Sequence, residues 1–259
     1  MSEAADNLAR RIATDICERK PFQLSGIADL DLQQAYAVQD AVVDQLASGP
    51  ARRAIGGYKL AFNKQASFDY YGITEPCSAP VFADRIMPSG SSVRLDAYGE
   101  LVIEPEIAAV LGEDLPGSGV TLEQANNAIS HYTAAFELLD LRGAFALDPS
   151  AAEAVAQGVY NVGAVLGKTR IEPGEVDVAT LPVSLVLDTS EPMKARGAAP
   201  QHPAEAVCWL ANHLGARGYR LKAGMIVLCG THLPAQTIRQ AGLIQLAMGS
   251  LGRVELAVI

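Results

Sequence analysis

Glu104 and Glu106 flank Pro105 inside the otherwise apolar run "ELVIEPEIAAVLG", residues 100–112. A carboxylate is costly to bury without a partner. In a strand, residues i and i+2 project from one face, about 6.6 Å apart along the chain. The two acids therefore point the same way, and each raises the pKa of the other. One explanation is a solvated strand face. The other is a hard divalent cation, which takes oxygen ligands and removes the repulsion. A third carboxylate, Glu137, lies in the apolar run "AAFELLDLR", residues 134–142, with Asp140 directed mostly to the opposite face. A lone Glu in such a run is commonly a paired side chain, but Glu104, Glu106 and Glu137 together would make a three-carboxylate site of the Mg-like kind, with positions left for water and substrate.

The elements that must position these acids read as follows. Residues 3–19 and 32–47 form amphipathic helices, and the second carries Tyr36, Val42, Val43 and Leu46 near one face. Gly49, Pro50 and the pair Gly56-Gly57 end this N-terminal helical segment, which is taken as residues 1–55. From residue 56 to 259 short strands and turns dominate, from "YKLAF" to "RVELAVI". Two helices interrupt them. "TLEQANNAISHY", residues 121–132, opens with Thr121 and Gln124 at capping-box spacing. "PAEAVCWLANHLGARG" opens on Pro203 and ends at Gly215 or Gly218. Strands and helices do not alternate regularly, which excludes a doubly wound parallel sheet and predicts a mainly β, mixed α+β domain. Pro105 cannot donate to a ladder, so its strand is expected at an edge or an irregular position.

Composition narrows the function. The net charge is −9 with no clustered basic tract, so nucleic acid and anionic membranes are poor partners. No apolar run approaches a membrane span. Cys17, Cys77, Cys208 and Cys229 are scattered without a CxxC pair. They read as reduced core thiols of a cytoplasmic protein.

The string E-P-E, followed about thirty residues later by E-L-L-D-L-R, resembles the metal signature of the fumarylacetoacetate hydrolase superfamily. "AYAVQDAVV", "GGYKLAF", "GITEPCSAPVFADRIM", "QHPAEAVCWLANHL" and "LKAGMIVLCGTHLP" fall in that family's order. The branch they resemble holds 2-hydroxypenta-2,4-dienoate (2-oxopent-4-enoate) hydratase and 4-oxalocrotonate decarboxylase. The resemblance covers roughly residues 30–259. It implies a twisted β-roll with flanking helices, Mg or Mn on Glu104, Glu106 and Glu137, and Lys59 and Asp84 as polar catalytic groups. It also implies a homo-oligomer. Read from the residues alone, Lys59 is a snorkelling surface side chain, the usual state of a lysine in a strand, and Asp84 fits an Asp-Arg pair or a turn cap as well as a catalytic group. Where the family carries a small polar segment, this chain has "GVYNVGAVLG", and either Asn161 or Tyr160 takes the polar place.

Carbon–carbon hydrolases of the superfamily use a His-Glu dyad in an early lid helix. The candidate lid stretch "NKQASFDYYGI" has neither residue, and all four histidines follow the metal strand. His202 and His232 read as turn residues, His131 and His213 as helix ends. The expected reaction is hydration of 2-hydroxypenta-2,4-dienoate to 4-hydroxy-2-oxopentanoate, with Asn161, Arg142 and His232 as candidate substrate contacts. The alternative, decarboxylation of 4-oxalocrotonate, needs a cation for a second carboxylate, for which Arg85 and Arg142 are available. A non-catalytic binding domain is the third reading.

Overall fold

The apolar periodicity of the N-terminal segment becomes helix α1 (Glu3–Cys17) and helix α2 (Leu32–Ala47) in the computed structural model, which describes residues 3–24, 30–48 and 52–259. The turn expected at Gly49-Pro50 lies outside the described residues. α2 is opened by Asp31, whose side chain accepts from the Gln34 amide while Gln34 bonds back. After it come β1 (Ile55–Ala61), α3 (Gln65–Tyr71), β2 (Cys77–Phe82), β3 (Ile86–Pro88), β4 (Ser91–Val93) and β5 (Leu101–Leu111). α4 (Leu122–Ala128), β6 (Ile129–Asp140), α5 (Ala151–Ala156) and β7 (Asn161–Leu166) follow. The chain closes with β8 (Pro182–Leu187), β9 (Met193–Arg196), α6 (Pro203–Ala216), β10 (Ile226–Thr231), β11 (Gln236–Thr237), β12 (Gly242–Met248) and β13 (Arg253–Val258).

The strands make two sheets. The first has the order β2-β1-β10-β5-β6-β7-β3, with β11 added beside β5. β2 also packs against β7 near the far end of that order, so the sheet curls into a roll. The second has the order β4-β13-β12-β8-β9. Most pairs are antiparallel; β1–β10, β3–β7 and β4–β13 are parallel. The outer face of the roll carries Ile103, Ile107, Phe136 and Leu138 into one core with the second sheet (Leu185, Leu246, Leu256) and with Leu210 and Leu214 of α6. The inner face is covered at one end by α1, α2 and α5, whose Ile12, Val38 and Val155 share a second core with Ala61, Cys77, Val102 and Leu139. The N-terminal helices are thus packed onto the strand-rich half of the chain. α2 also covers the free edge of β2: Gln39 Nε2 donates to the Ser78 carbonyl at 3.1 Å, and the Ser78 amide to Tyr36 Oη at 2.9 Å.

Four expectations are corrected. The helix placed at 121–132 ends at Ala128, and Ile129 starts a strand. Ile129, Tyr132 and Thr133 favour extended backbone, and pairing of β6 with β5 overrides the cap-driven helix. His131 therefore sits on a strand and not at a helix end. α3 and α5 add two helices to the strand-rich half; α5 carries its own capping box, Ser150 with Glu153. For Pro105 only the edge alternative is corrected: its strand is interior, and the irregular position is what the β5–β10 register shift between Leu228 and Thr231 provides, so no ladder bond is asked of its nitrogen there. Of the four thiols, none is in a disulfide, but only Cys77 and Cys229 are buried in the core.

Candidate active site

Alternation along β5 and pairing with β6 explain the acidic cluster. Glu104 faces Glu137 directly across the ladder, and Glu106 lies two residues on. Opposed side chains start about 5 Å apart at Cβ. The three carboxylates accordingly lie within 4.8 Å of one another. They occupy the inner face of the roll between two apolar patches: Ala108, Ala135, Ala164 and Leu228 on one side, Val102 and Leu139 on the other. Glu106 and Glu137 are buried, and Glu104 is partly accessible.

Lys59 joins them. β1 and β10 are parallel, with Lys59 beside Leu228, and Leu228 pairs with Ala108. The ammonium reaches inward, Nζ 3.1 Å from Glu137 Oε1, with its side chain 3% exposed. It is not a snorkelling surface residue. The close approach needs Gly57: a Cβ there would stand 2.2 Å from the Ile226 carbonyl oxygen. Asn161 settles the register left open against Tyr160. Its Nδ2 donates to Glu137 Oε1 at 2.8 Å, whereas Tyr160 is buried in the core under α1, α2 and α5.

Burial raises Glu104 to about 7, with Glu137 adding to it and Lys59 and Lys64 opposing. Glu106 is raised well above the usual carboxylate range by burial and then by its two acidic neighbours. Burial also raises Glu137, against Lys59 and Asn161. For Lys59, burial pulls the pKa down, but Glu137, Glu104 and Glu106 outweigh it and hold the ammonium above its ordinary value. One cation among three carboxylates leaves excess negative charge, and Glu137 Oε2 is buried with no hydrogen-bond partner. A divalent cation fits this donor set: three hard oxygens, one of them orphaned, with the charge to lower all three acids.

Two contributors escaped the sequence reading. The Gly230 amide donates to Glu106 Oε2 at 2.7 Å. Gly230 has φ +107°, and a Cβ there would meet the Asn63 side chain at 2.5 Å, so the glycine after "VLC" was the available signal. Lys64, just before α3, acts electrostatically on Glu104 and on His232.

Other candidates lie apart. Asp84 sits in a short 3-10 turn with its side chain 48% exposed, both carboxylate oxygens taking the Arg53 Nε–H. This is the Asp-Arg pair, not a group on Lys59. Arg142 is buried away from the glutamates, donating to Gln157 Oε1 at 2.6 Å and to the Lys20 carbonyl at 3.0 Å. Asp140 accepts from the Gly99 and Glu100 amides. His232 is buried beside the acidic strand; its amide donates to the Pro105 carbonyl at 2.9 Å, and its Nδ1 has no partner. His202 caps α6 through Nδ1.

The chain is similar to known proteins along most of its length. The chain is 28% identical over 261 residues to 2-oxo-hept-4-ene-1,7-dioate hydratase of Escherichia coli, covering 95% of each chain. It is 30% identical over 214 residues to 2-hydroxyhexa-2,4-dienoate hydratase of Comamonas testosteroni, covering 80% of this chain and 78% of the other. In fold it matches 4-oxalocrotonate decarboxylase of Pseudomonas putida G7, solved with magnesium and adipate. That match has a TM-score of 0.90 at 24% identity, over 99% of this chain and 98% of that one. Residues 76–259 match the model of the fumarylacetoacetate (FAA) hydrolase C-terminal family, and the chain belongs to that family.

Proposed function

We propose that this protein is a Mg- or Mn-dependent hydro-lyase that adds water to 2-hydroxypenta-2,4-dienoate or a close homologue, giving a 4-hydroxy-2-oxo acid. The observation that carries the reading is the cluster of three largely buried carboxylates, one of them ion-paired with the buried Lys59. Hydratases of 2-oxo and 2-hydroxydienoic acids related along most of the chain support it. Glu104, Glu106 and Glu137 would hold the cation, which supplies Lewis-acid polarisation of the substrate's carboxylate and 2-oxygen.

The rest falls to the chain itself. Lys59 keeps its proton beside Glu137 and places fixed positive charge where the 2-oxygen gathers electron density. As the enol becomes the ketone its 2-hydroxyl gives up a proton, and the Lys59 ammonium would stabilise the dienolate oxygen left behind. The Asn161 amide and the Gly230 N–H hold Glu137 and Glu106 in place. The apolar patches on either side keep bulk water from the dienoate. Ketonisation puts a proton on the terminal carbon, and water then adds at carbon 4. Asp84 has no part in this scheme, because Arg53 holds it at the surface. Decarboxylation of 4-oxalocrotonate is less well served: Arg142 is engaged elsewhere, and Arg85 opens onto a different cavity.

Purified protein with Mg should bleach the ultraviolet absorbance of 2-hydroxypenta-2,4-dienoate and yield 4-hydroxy-2-oxopentanoate. Carbon dioxide released from 4-oxalocrotonate at a comparable rate would instead establish the decarboxylase. No change with either substrate would leave a non-catalytic domain.

Assembly and location complete the reading. Strands β4 and β9 are free edges of the second sheet, and Leu243 and Ile259 are exposed apolar residues there. These features support a homo-oligomer; a monomer mass by light scattering at micromolar concentration would remove that part. No helix among the described residues is long and apolar enough to cross a membrane. Four cysteines outside any disulfide support a cytoplasmic protein.

A further inference from the structure

A second cavity, of about 300 Å³, lies between the C-terminal ends of α1 and α2 and the seam where β2 meets β7. Its charged lining runs against the character of the chain. In a protein of net charge −9, three guanidinium groups meet here: Arg19, Arg53 and Arg85. The acid in the same wall, Asp140, is already taken by the backbone amides of Gly99 and Glu100. The arginines, by contrast, have donors to spare. Arg85 makes no hydrogen bond or ion pair among the described residues. Arg53 engages Asp84 through Nε alone, leaving both terminal nitrogens, and its guanidinium lies 3.8 Å over the Phe82 ring. Arg19 uses Nη1 on the Asp96 carbonyl and keeps Nη2. Between these donors the walls are apolar: Ile16, Leu46, Phe82 and Val162.

We propose that this cavity binds a small organic carboxylate with an apolar body, separately from the glutamate cluster. Planar guanidinium forks match a carboxylate, and aliphatic and aromatic walls take the rest of such an acid. Inorganic phosphate shares the anionic chemistry but gains nothing from those walls. The inner wall is Asn161, whose amide also holds Glu137. The anion would therefore lie one side chain away from the acidic cluster. The inference stands on the cavity and its donors alone, and it survives or fails independently of the hydratase reading.

Cys17 lines the same cavity, is exposed and is in no disulfide, so it reports on the cavity without engineering. Its thiolate displaces iodide from iodoacetate or iodoacetamide, forming a C–S bond to a carboxymethyl or carbamidomethyl group. The iodoacetate-to-iodoacetamide rate ratio at Cys17, read by peptide mass spectrometry, is compared with the same ratio for glutathione. A focused positive cavity should raise it by about tenfold. Arg85→Ala, at an exposed position, should lower it several-fold, and the Arg19→Ala Arg85→Ala double variant should bring it to the glutathione value. Butyrate or adipate should protect Cys17 from neutral iodoacetamide in a saturable way, with phosphate at equal ionic strength much weaker. A wild-type ratio equal to that of glutathione would overturn the site. Equal protection by phosphate would overturn the organic acid as its ligand.

Discussion

Strands β5 and β6 have two faces with opposite chemistry. On the outer face Ile103, Ile107, Phe136 and Leu138 are sealed against the second sheet. On the inner face, one residue out of phase, Glu104, Glu106 and Glu137 crowd around a single lysine. The same ladder holds both, so backbone pairing cannot explain the difference. The outer face stabilises the fold by removing apolar surface from water. The inner face draws on that stability to keep carboxylates in a place they would not occupy unaided.

The comparison can be tested from each side. Truncating the outer face should have the largest effect: Phe136→Ala should cost about 3–5 kcal/mol with or without Mg, measured by urea unfolding. A loss under about 1 kcal/mol would mean that this face does not carry the fold.

Lys59→Ala comes next. It leaves a buried carboxylate unpaired, and breaking such pairs costs about 3 kcal/mol. Turnover with Mg should fall by roughly 10²–10⁴-fold. Wild-type turnover in this variant would remove Lys59 from the chemistry.

Metal should act on the inner face alone. At a hundredfold excess over its dissociation constant, Mg should stabilise the protein by about 2.7 kcal/mol. Glu106→Gln keeps the acceptor for the Gly230 amide but removes a charge. It should shrink that gain and lower turnover, while leaving the metal-free protein no less stable than wild type. If Mg moves neither protein's melting temperature, the cation site is refuted.

The last test is in pH. In the metal-free protein Glu104 is raised from 4.5 to about 7, mainly by burial. A raised carboxyl binds its proton more tightly folded than unfolded, so its contribution is intact below about 4.5 and is lost as pH climbs to about 7. Glu104→Gln removes the effect. Without metal, the variant's melting temperature should gain on wild type across that interval and run parallel above it. A difference that stays constant with pH would contradict the shift.

Most of the inner face was legible in the sequence because it rests on alternation. Glu104 and Glu106 at i and i+2 share a face whatever the fold, and an apolar run around Glu137 predicts a buried strand. What alternation cannot supply is which strands neighbour one another. The Gly230 amide reaches Glu106 only because β10 lies beside β5, and nothing near either residue encodes that adjacency. Asp84 is a different case. It entered on the family resemblance and not on alternation, and the 3-10 turn at Ala83–Arg85 leaves its side chain paired with Arg53. Residues 129–132 were misread because a strong cap at Thr121 speaks for where a helix begins and not for where it stops.

The strand order also sets a timetable. β10, made late in synthesis, is inserted between β1 and β5, which emerge early. A nascent chain that ends before residue 226 holds Lys59 and all three glutamates but lacks the strand that joins the lysine's strand to theirs. Such long-range closure is slow, and until it happens the acidic ladder has a bare backbone edge beside it. A chain released short of β10 should therefore be prone to aggregate rather than merely inactive, and cells making this enzyme have reason to shield roughly its first 225 residues until the last strands arrive.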